Sequence, residues 1–160
     1  MVHDTLDLDQ IKEEFKKCSN SCNYFITNYT KVVHPMRGMV NFDLYPFQER
    51  ILSDFQSHRL SILRKFRQAG CTTLMAGYAL WFIIFQANKK VAILSKGDAE
   101  AKMVVERIKL MYEELPIWLK PRTTKNNDHT LRLENGSSIE SKASSKQAGR
   151  SISASLLIID

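Results

Sequence analysis

One stretch constrains the fold of this chain more than any other, and it covers residues 60–73, with the sequence L-S-I-L-R-K-F-R-Q-A-G-C-T-T. It begins with a short apolar run, which predicts a core strand over residues 60–63. A turn of basic and small residues follows, and a long apolar helix then opens at two threonines. This order brings backbone N–H groups and the positive end of the helix dipole to one point, which favours the binding of a phosphate group.

The turn departs at two positions from the common phosphate-binding pattern G-x-x-x-x-G-K-[ST]. Lys65 stands where the first glycine belongs, and Cys71 stands where the lysine belongs. Cys71 cannot supply the cation, because a thiolate would carry the wrong sign. Lys65 and Arg67 can supply it, since both have long flexible side chains. The alternative is that both are solvated loop charges and that Cys71 and Thr72 simply begin the helix.

Apolar periodicity predicts the other main elements of the chain. In chain order they are helices over residues 7–29 and 46–59, the strand 60–63, a helix over 72–87, a strand over 90–94, a helix over 98–115 and a strand over 156–160. Strands that alternate with helices predict an α/β fold, in which a parallel sheet is covered by helices on both faces.

The segments between these elements carry weaker patterns. Residues 34–41 contain Pro35 and Gly38 and are predicted to be irregular. Residues 122–130 are predicted to be a polar loop. Asn135 and Gly136 lie between two short runs, and Asn-Gly is a strong signal for a β-hairpin.

Polar side chains follow three of the predicted strands. Lys65, Ser95 and Asp160 all come at or just after a strand end, and ligands of parallel sheets bind at the carboxyl ends of the strands. A nucleoside triphosphate site needs close backbone approach, a hydroxyl on Mg²⁺ and a carboxylate near the metal. Gly70, Thr72 and Asp160 have these properties. The pattern therefore predicts a site for a nucleoside triphosphate and Mg²⁺ at this edge.

The composition limits the class of protein. The chain has 160 residues, 44% of them hydrophobic and 25% charged, as in a soluble globular protein. The net charge of +6 favours an anionic partner. The three cysteines have no metal-like spacing and predict a reducing compartment; Cys18 and Cys22 are expected to be plain thiols. No apolar run is long enough to span a membrane. The chain is therefore expected to be soluble and intracellular.

Several short motifs, taken together, resemble the ATPase half of a large terminase subunit, the DNA-packaging motor of tailed phages. The resemblance runs from about Asp9 to the last residue. Its most specific part is the R-Q-x-G-x-T-T loop combined with L-x-N-G-S-S-I. The matching pieces are Y-P-F-Q at 45–48, R-Q-A-G-C-T-T at 67–73, E-N-G-S-S-I at 134–139, A-S-S at 143–145, G-R at 149–150 and L-I-I-D at 157–160.

The resemblance implies a P-loop NTPase fold of the RecA/helicase type, incomplete at its C-terminus. Residues 1–40 would be a helical lead-in segment and residues 41–160 a partial ATPase domain. The implied activity is ATP hydrolysis that drives double-stranded DNA into a prohead. Efficient hydrolysis would need a glutamate directly after Asp160, so the expectation is a truncated chain that is poorly active alone.

The resemblance also implies individual roles. Gln48 takes the place of the glutamine that contacts the adenine edge, and Asp160 takes the place of the metal-binding acid. Other members of the wider family have their essential lysine at the start of the loop, where this chain has Lys65. Arg150 would contact phosphate or a neighbouring subunit; the alternative is a solvated or DNA-facing charge. The implied phosphate loop consists of Arg67, Gln68, Ala69, Gly70, Cys71, Thr72 and Thr73.

The partners implied are ATP, Mg²⁺, double-stranded DNA, the portal protein and the small terminase subunit. A homo-oligomeric ring in the cytoplasm of an infected bacterial host is also implied. Four basic residues could contact DNA phosphates or simply face solvent: Lys96, Lys120, Lys142 and Lys146. Two other functions stay open, namely a helicase-like ATPase and a degenerate nucleotide-fold module that binds DNA or protein without hydrolysis.

Overall fold

The computed structural model describes residues 6–144 and 153–160. Its main sheet has five strands in the order β4-β5-β6-β3-β7. These strands are β3 (Lys90–Ser95), β4 (Thr123–Asn127), β5 (Thr130–Leu133), β6 (Ser138–Ala143) and β7 (Leu156–Ile159). The helices are α1 (Leu8–Asn20), α2 (Cys22–Tyr29), α3 (Pro46–Ser57), α4 (Cys71–Phe85) and α5 (Asp98–Glu113), with a 3₁₀ turn over Ile117–Leu119.

The centre of the sheet is parallel, as the sequence predicts. Strand β3 pairs in parallel with both β6 and β7, while β4 and β5 extend the sheet in antiparallel fashion. Helices flank the sheet, and α4 is buried along most of its length. The α/β class and the hairpin between β5 and β6 are therefore confirmed.

The predicted first core strand is wrong. Residues 60–63 have no regular secondary structure and belong to no described strand, and Leu60 and Ile62 are exposed. The apolar character of this run suits a buried strand. However, β7 is the edge strand of the described sheet and does not pair with it, so the backbone has no ladder to join. A groove of about 300 Å³ lies between this segment and β7, lined by Phe55, His58, Arg59, Ser61, Leu63, Lys65, Met75, Tyr78 and residues 156–160.

The N-terminal helix differs from the prediction in one respect, because it is two helices. Ser21 is extended, with φ −138° and ψ 110°, and its side chain accepts a hydrogen bond from the backbone N–H of Tyr24. Ser21 thus ends α1 and caps α2. Both helices pack near α4, where the Trp81 indole N–H donates to the Cys18 carbonyl over 2.8 Å. The division near residue 40 stays a prediction.

Two predicted irregular segments contain strands. Strands β1 (Lys31–His34) and β2 (Gly38–Asn41) form a small antiparallel hairpin. Its turn and β2 occupy residues 34–41, which the sequence predicts to be irregular, and most of β1 lies just before them. The predicted polar loop at 122–130 contains β4, all of whose residues are exposed. An edge strand that faces solvent on both sides has no hydrophobic alternation to reveal it, and backbone pairing with β5 alone defines it.

The hairpin turn between β5 and β6 covers the C-terminal end of α4. The Asn135 side-chain amide donates to the carbonyls of Ile83 and Ile84, over 2.8 and 3.2 Å. The Ser137 hydroxyl donates to the carbonyl of Gln86 over 2.5 Å. Gly136 has φ +81°, and a Cβ there would lie 2.2 Å from the Asn88 amide oxygen. The turn therefore satisfies the free carbonyls with which α4 ends.

Other features of the described residues bear on the compartment and on cofactors. No described helix is long and apolar enough to cross a membrane. No group of three or more His, Cys, Asp or Glu side chains in the described ranges could hold a metal ion. The cysteines Cys18 and Cys22 are free and buried on different helices, and burial raises the pKa of the Cys18 thiol to about 12.

Candidate functional site

The loop before α4 has the geometry of an anion-binding turn. Gln68 and Gly70 both have positive φ, at 64° and 71°. Gly70 is the N-cap of α4 and no side chain caps the first turn, so the first N–H groups of α4 have no side-chain partner. Backbone N–H groups in such a turn at a helix start form a concave site that favours negative charge.

The buried side chain of Gln48 helps to fix the shape of this loop. Its side chain is 2% exposed, and its amide donates to the Ala69 carbonyl over 3.3 Å. Its amide oxygen accepts a hydrogen bond from the backbone N–H of Tyr45 over 3.0 Å. A Cβ on Gly70 would lie 3.0 Å from the Gln48 side-chain nitrogen, so both the close contact and the positive φ favour glycine there. The adenine contact implied for Gln48 stays a prediction.

Lys65, Thr72 and Asp160 meet at the carboxyl edge of the sheet. The Lys65 ammonium lies 2.5 Å from one Asp160 oxygen, and the Thr72 hydroxyl donates to the other over 2.8 Å. The Lys65 and Thr72 side chains are 3.5 Å apart. Lys65 reaches this point from a segment without regular secondary structure rather than from the predicted strand end.

The environment of Asp160 favours its ionised form. Burial acts to raise the pKa of this carboxyl, but the hydrogen bonds from Lys65 and Thr72 outweigh it. The positive charges of Lys65 and Arg107 act in the same direction, and together they hold the pKa of Asp160 below its usual range. The site therefore presents a carboxylate, a hydroxyl and an ammonium group at neutral pH.

The remaining predicted loop residues occupy different positions. Arg67 is exposed, whereas Ala69 and Cys71 are buried. The Cys71 sulfur lies 3.9 Å from the Ala69 carbonyl oxygen, so it faces the protein's own backbone. Thr73 accepts a hydrogen bond from Arg107. Arg150, with Lys146, lies outside the described residues.

Two residues at this edge have no role predicted from the sequence. Ser95 ends β3 beside Asp160, and its buried hydroxyl finds no hydrogen-bond partner among the described residues. Arg107 lies on α5 and reaches the first turn of α4. The place of Arg107 at this edge follows only from the contact between α4 and α5, because 34 residues separate it from Thr73 in the sequence.

An aromatic surface adjoins the loop. Tyr45 and Phe47 stack with ring centroids 5.8 Å apart, and Phe47 lies 6.3 Å from Phe66. Tyr45 and Phe66 are 64% and 69% exposed. These three rings are called the aromatic surface below. Exposed rings beside a phosphate-binding turn offer a flat apolar contact for a base.

Comparison with known proteins adds to this geometry. The crystal structure of the HK97 bacteriophage large terminase is similar, with a TM-score of 0.69 at 20% sequence identity. The fold is similar to that of a phage large terminase. The likeness covers 89% of this chain and 30% of that one, and it concerns the fold. No protein-family model matches the sequence.

The resemblance found in the sequence is thus confirmed at the level of the fold. The terminase-like fold is a mixed α/β sheet flanked by helices, and the positive-φ turn before α4 lies at its carboxyl edge. Because this chain spans 30% of that terminase, the activity and partners of a whole packaging protein belong to the proposals that follow.

Proposed function

We propose that this chain binds ATP together with Mg²⁺ at the carboxyl edge of its sheet. The observation that carries the proposal is the meeting of Lys65, Thr72 and Asp160 beside a positive-φ glycine turn. Each group has one of the roles that a triphosphate site requires, and Asp160 comes from a part of the chain 88 residues away from Thr72.

The residues present fit the ligand chemically. Mg²⁺ prefers oxygen ligands, and the Thr72 hydroxyl and the Asp160 carboxylate supply two such groups on one side of the turn. The uncapped N–H groups at the start of α4 suit phosphate oxygens. Bound Mg²⁺ would offset the negative charge on the phosphate oxygens.

Lys65 has two alternative partners in this proposal. Without ligand it pairs with Asp160, which keeps both side chains at the mouth of the turn. With nucleotide bound, its ammonium contacts phosphate oxygens and leaves the Asp160 carboxylate to orient the metal. Arg67, exposed in the same loop, is placed for a second phosphate contact, and Gln48 holds the loop backbone in position. The aromatic surface would contact the base.

We further propose that the chain is the ATP-hydrolysing motor part of a viral terminase that packages double-stranded DNA into a prohead. The terminase-like fold and the net charge of +6 support this role. Lys96 and Lys142 follow or end neighbouring strands, are exposed, and have no ion pair within the described ranges. They are candidates for DNA phosphate contacts. Lys120 instead pairs with Glu113.

The partners proposed for the assembled motor are the portal protein, the small terminase subunit and further copies of the same chain in a ring. Its place of action would be the cytoplasm of an infected bacterial host. These partners and this location depend on the packaging role, so a result that refutes that role refutes them as well.

Titration of labelled ATP into the purified chain, with and without Mg²⁺, tests the binding proposal directly. Saturable binding that Mg²⁺ strengthens is the expected result, because Asp160 and Thr72 then act through the metal. No binding at millimolar nucleotide would refute the proposal. Stimulation of phosphate release by double-stranded DNA tests the motor role.

A second candidate is a nucleotide-fold module that binds DNA or a partner without hydrolysing ATP. The buried Cys71 favours it, because many terminases have a lysine at this position and Cys71 contributes no cation. Nucleotide binding without phosphate release in the presence of DNA would support this candidate over the motor. Directional unwinding of duplex DNA would instead support a helicase-like ATPase.

A further inference from the structure

Arg107 brings a second cation to the phosphate-binding turn from a separate element. Its guanidinium donates to the Thr73 hydroxyl over 3.3 Å. Thr73 follows Thr72, the residue whose hydroxyl bonds Asp160. Helix α5 therefore reaches the same first turn of α4 at which the uncapped N–H groups lie.

The charge of Arg107 has no acidic partner in the described part of the chain. None of the described ion pairs includes it. The residues three and four positions away along α5 are all apolar, namely Met103, Val104, Leu110 and Met111. By contrast, Lys102 on the same helix pairs with Asp98 over 3.1 Å. Arg107 also has most of its five N–H donors free of any described bond.

The position of Arg107 is close enough to the centre of the site to affect it. Its hydrogen bond to Thr73 places the guanidinium beside Thr72, whose hydroxyl donates to Asp160. Thr73 itself is a neutral partner, so the contact that holds Arg107 leaves its charge unbalanced. A guanidinium in this position is suited to two parallel hydrogen bonds with a phosphate group.

Ser95 adds a buried polar group to the same edge of the sheet. It is 2% exposed, and its hydroxyl has no hydrogen-bond partner among the described residues. The parallel register pairs Leu94 with Ile159, which places Ser95 beside Asp160 one residue further along. Buried polar atoms in native folds bond to protein, water or ligand, so this hydroxyl can bond a ligand that binds at this edge.

We propose that Arg107 binds the phosphate chain of the nucleotide directly. The inference rests on the proposed ATP site and adds to it a cation from α5, which the loop sequence does not include. The site then has cations from two separate elements, Lys65 before the turn and Arg107 beside it. Inorganic tripolyphosphate has the phosphate chain without the base and is therefore a suitable probe beside ATP.

The test compares the affinities of four purified chains for ATP and for tripolyphosphate, both with Mg²⁺. Arg107→Ala is expected to weaken both ligands by roughly tenfold to a hundredfold, the usual effect of removing a charged hydrogen-bond donor. Arg107→Lys keeps the charge without the planar fork, and an intermediate affinity is expected. Lys102→Ala removes the same charge from the same helix and is expected to bind as the wild type does.

Thermal unfolding of each variant separates binding from stability. Arg107 is exposed and its one described bond is long, so unchanged melting temperatures are expected. If Arg107→Ala unfolds, the folded Arg107→Lys chain decides the matter by its loss of affinity.

Four results would overturn the inference. Wild-type affinity of folded Arg107→Ala for ATP and tripolyphosphate would do so and would leave the proposed ATP site intact. An equal loss in Lys102→Ala would reduce the effect to general electrostatics. A loss of double-stranded DNA binding without loss of tripolyphosphate binding would assign Arg107 to DNA. If the wild type binds neither ligand, the proposed function fails and the inference fails with it.

Discussion

Replacing Lys65 with alanine tests which residue supplies the cation of the phosphate-binding turn. In the common pattern the lysine directly precedes the threonine, where this chain has Cys71. The structure instead brings the Lys65 ammonium to Asp160 and Thr72. We therefore expect Lys65→Ala to abolish ATP turnover and to weaken nucleotide binding, and Cys71→Ala to change either very little.

The expected size of the effect follows from the exposure of the ion pair. The side chains of Lys65 and Asp160 are 36% and 19% exposed, so their pairing adds no more than about 1 kcal/mol to folding stability. A charged hydrogen bond to phosphate contributes about 1.5–3 kcal/mol to binding, or roughly tenfold to a hundredfold in affinity. Lys65→Ala also leaves the Asp160 carboxylate unpaired and repulsive to phosphate. The loss of affinity should therefore far exceed the loss of stability.

Isothermal titration with ATP and Mg²⁺, accompanied by thermal unfolding, measures both quantities in the same variants. Cys71→Ala is the matched control, because it alters the neighbouring loop position and removes no charge. A larger loss of affinity in Cys71→Ala than in Lys65→Ala would refute the assignment. Losses of folding free energy and of binding free energy of equal size in Lys65→Ala would also refute it, because they would indicate a structural role alone.

Three further predictions follow from the described contacts. Asp160→Asn should raise the affinity for ATP in the absence of Mg²⁺, because Lys65 then loses its ion-pair partner and is free to contact phosphate. It should also remove the Mg²⁺ dependence of ATP binding, and titrations in which that dependence is retained would contradict the prediction. Phe66→Ala should weaken ATP about tenfold but leave tripolyphosphate unchanged, because it removes base stacking only; parallel losses would exclude stacking. Hydrogen bonds from Lys17 and Tyr29 lower the pKa of Glu14 from 4.5 to about 2. Its stabilisation is therefore full above pH 4.5 and is lost as the pH falls towards 2. Glu14→Gln should then destabilise the chain by about 1 kcal/mol at pH 7 in urea unfolding, with a difference that disappears near pH 2.

The sequence predicts best the elements whose pattern comes from burial. Strand β3 and helix α4 are long apolar runs, and both lie in the structure within two residues of their predicted bounds. The hairpin at Asn135 and Gly136 has a local cause, because that dipeptide accepts the backbone conformation of a tight turn. In each case the physical signal is contained in neighbouring residues.

Errors arise where pairing or distant contacts decide the structure. Residues 60–63 have the composition of a buried strand, but a strand also needs a backbone partner, and composition does not supply one. The polar strand β4 has the opposite composition and yet has a partner in β5. For the site, spacing brings Lys65, Thr72 and Asp160 together in prediction and structure alike. The sequence does not predict a place for Arg107 at the site, because its hydrogen-bond partner Thr73 lies on another helix.

Helix α4 is held at both ends, which gives the chain a mechanical property. Its first turn contacts Asp160 and Arg107 at the proposed ATP site, and carbonyls at its C-terminal end accept hydrogen bonds from Asn135 and Ser137 in the β5–β6 turn. The helix has 15 residues and is therefore about 22 Å long. The hydrogen bonds at its C-terminal end keep that end of the helix from fraying, so a displacement of the first turn moves the helix as one unit. A shift of the first turn on nucleotide binding would thus displace the β5–β6 turn, which is hydrogen-bonded to the other end of the helix.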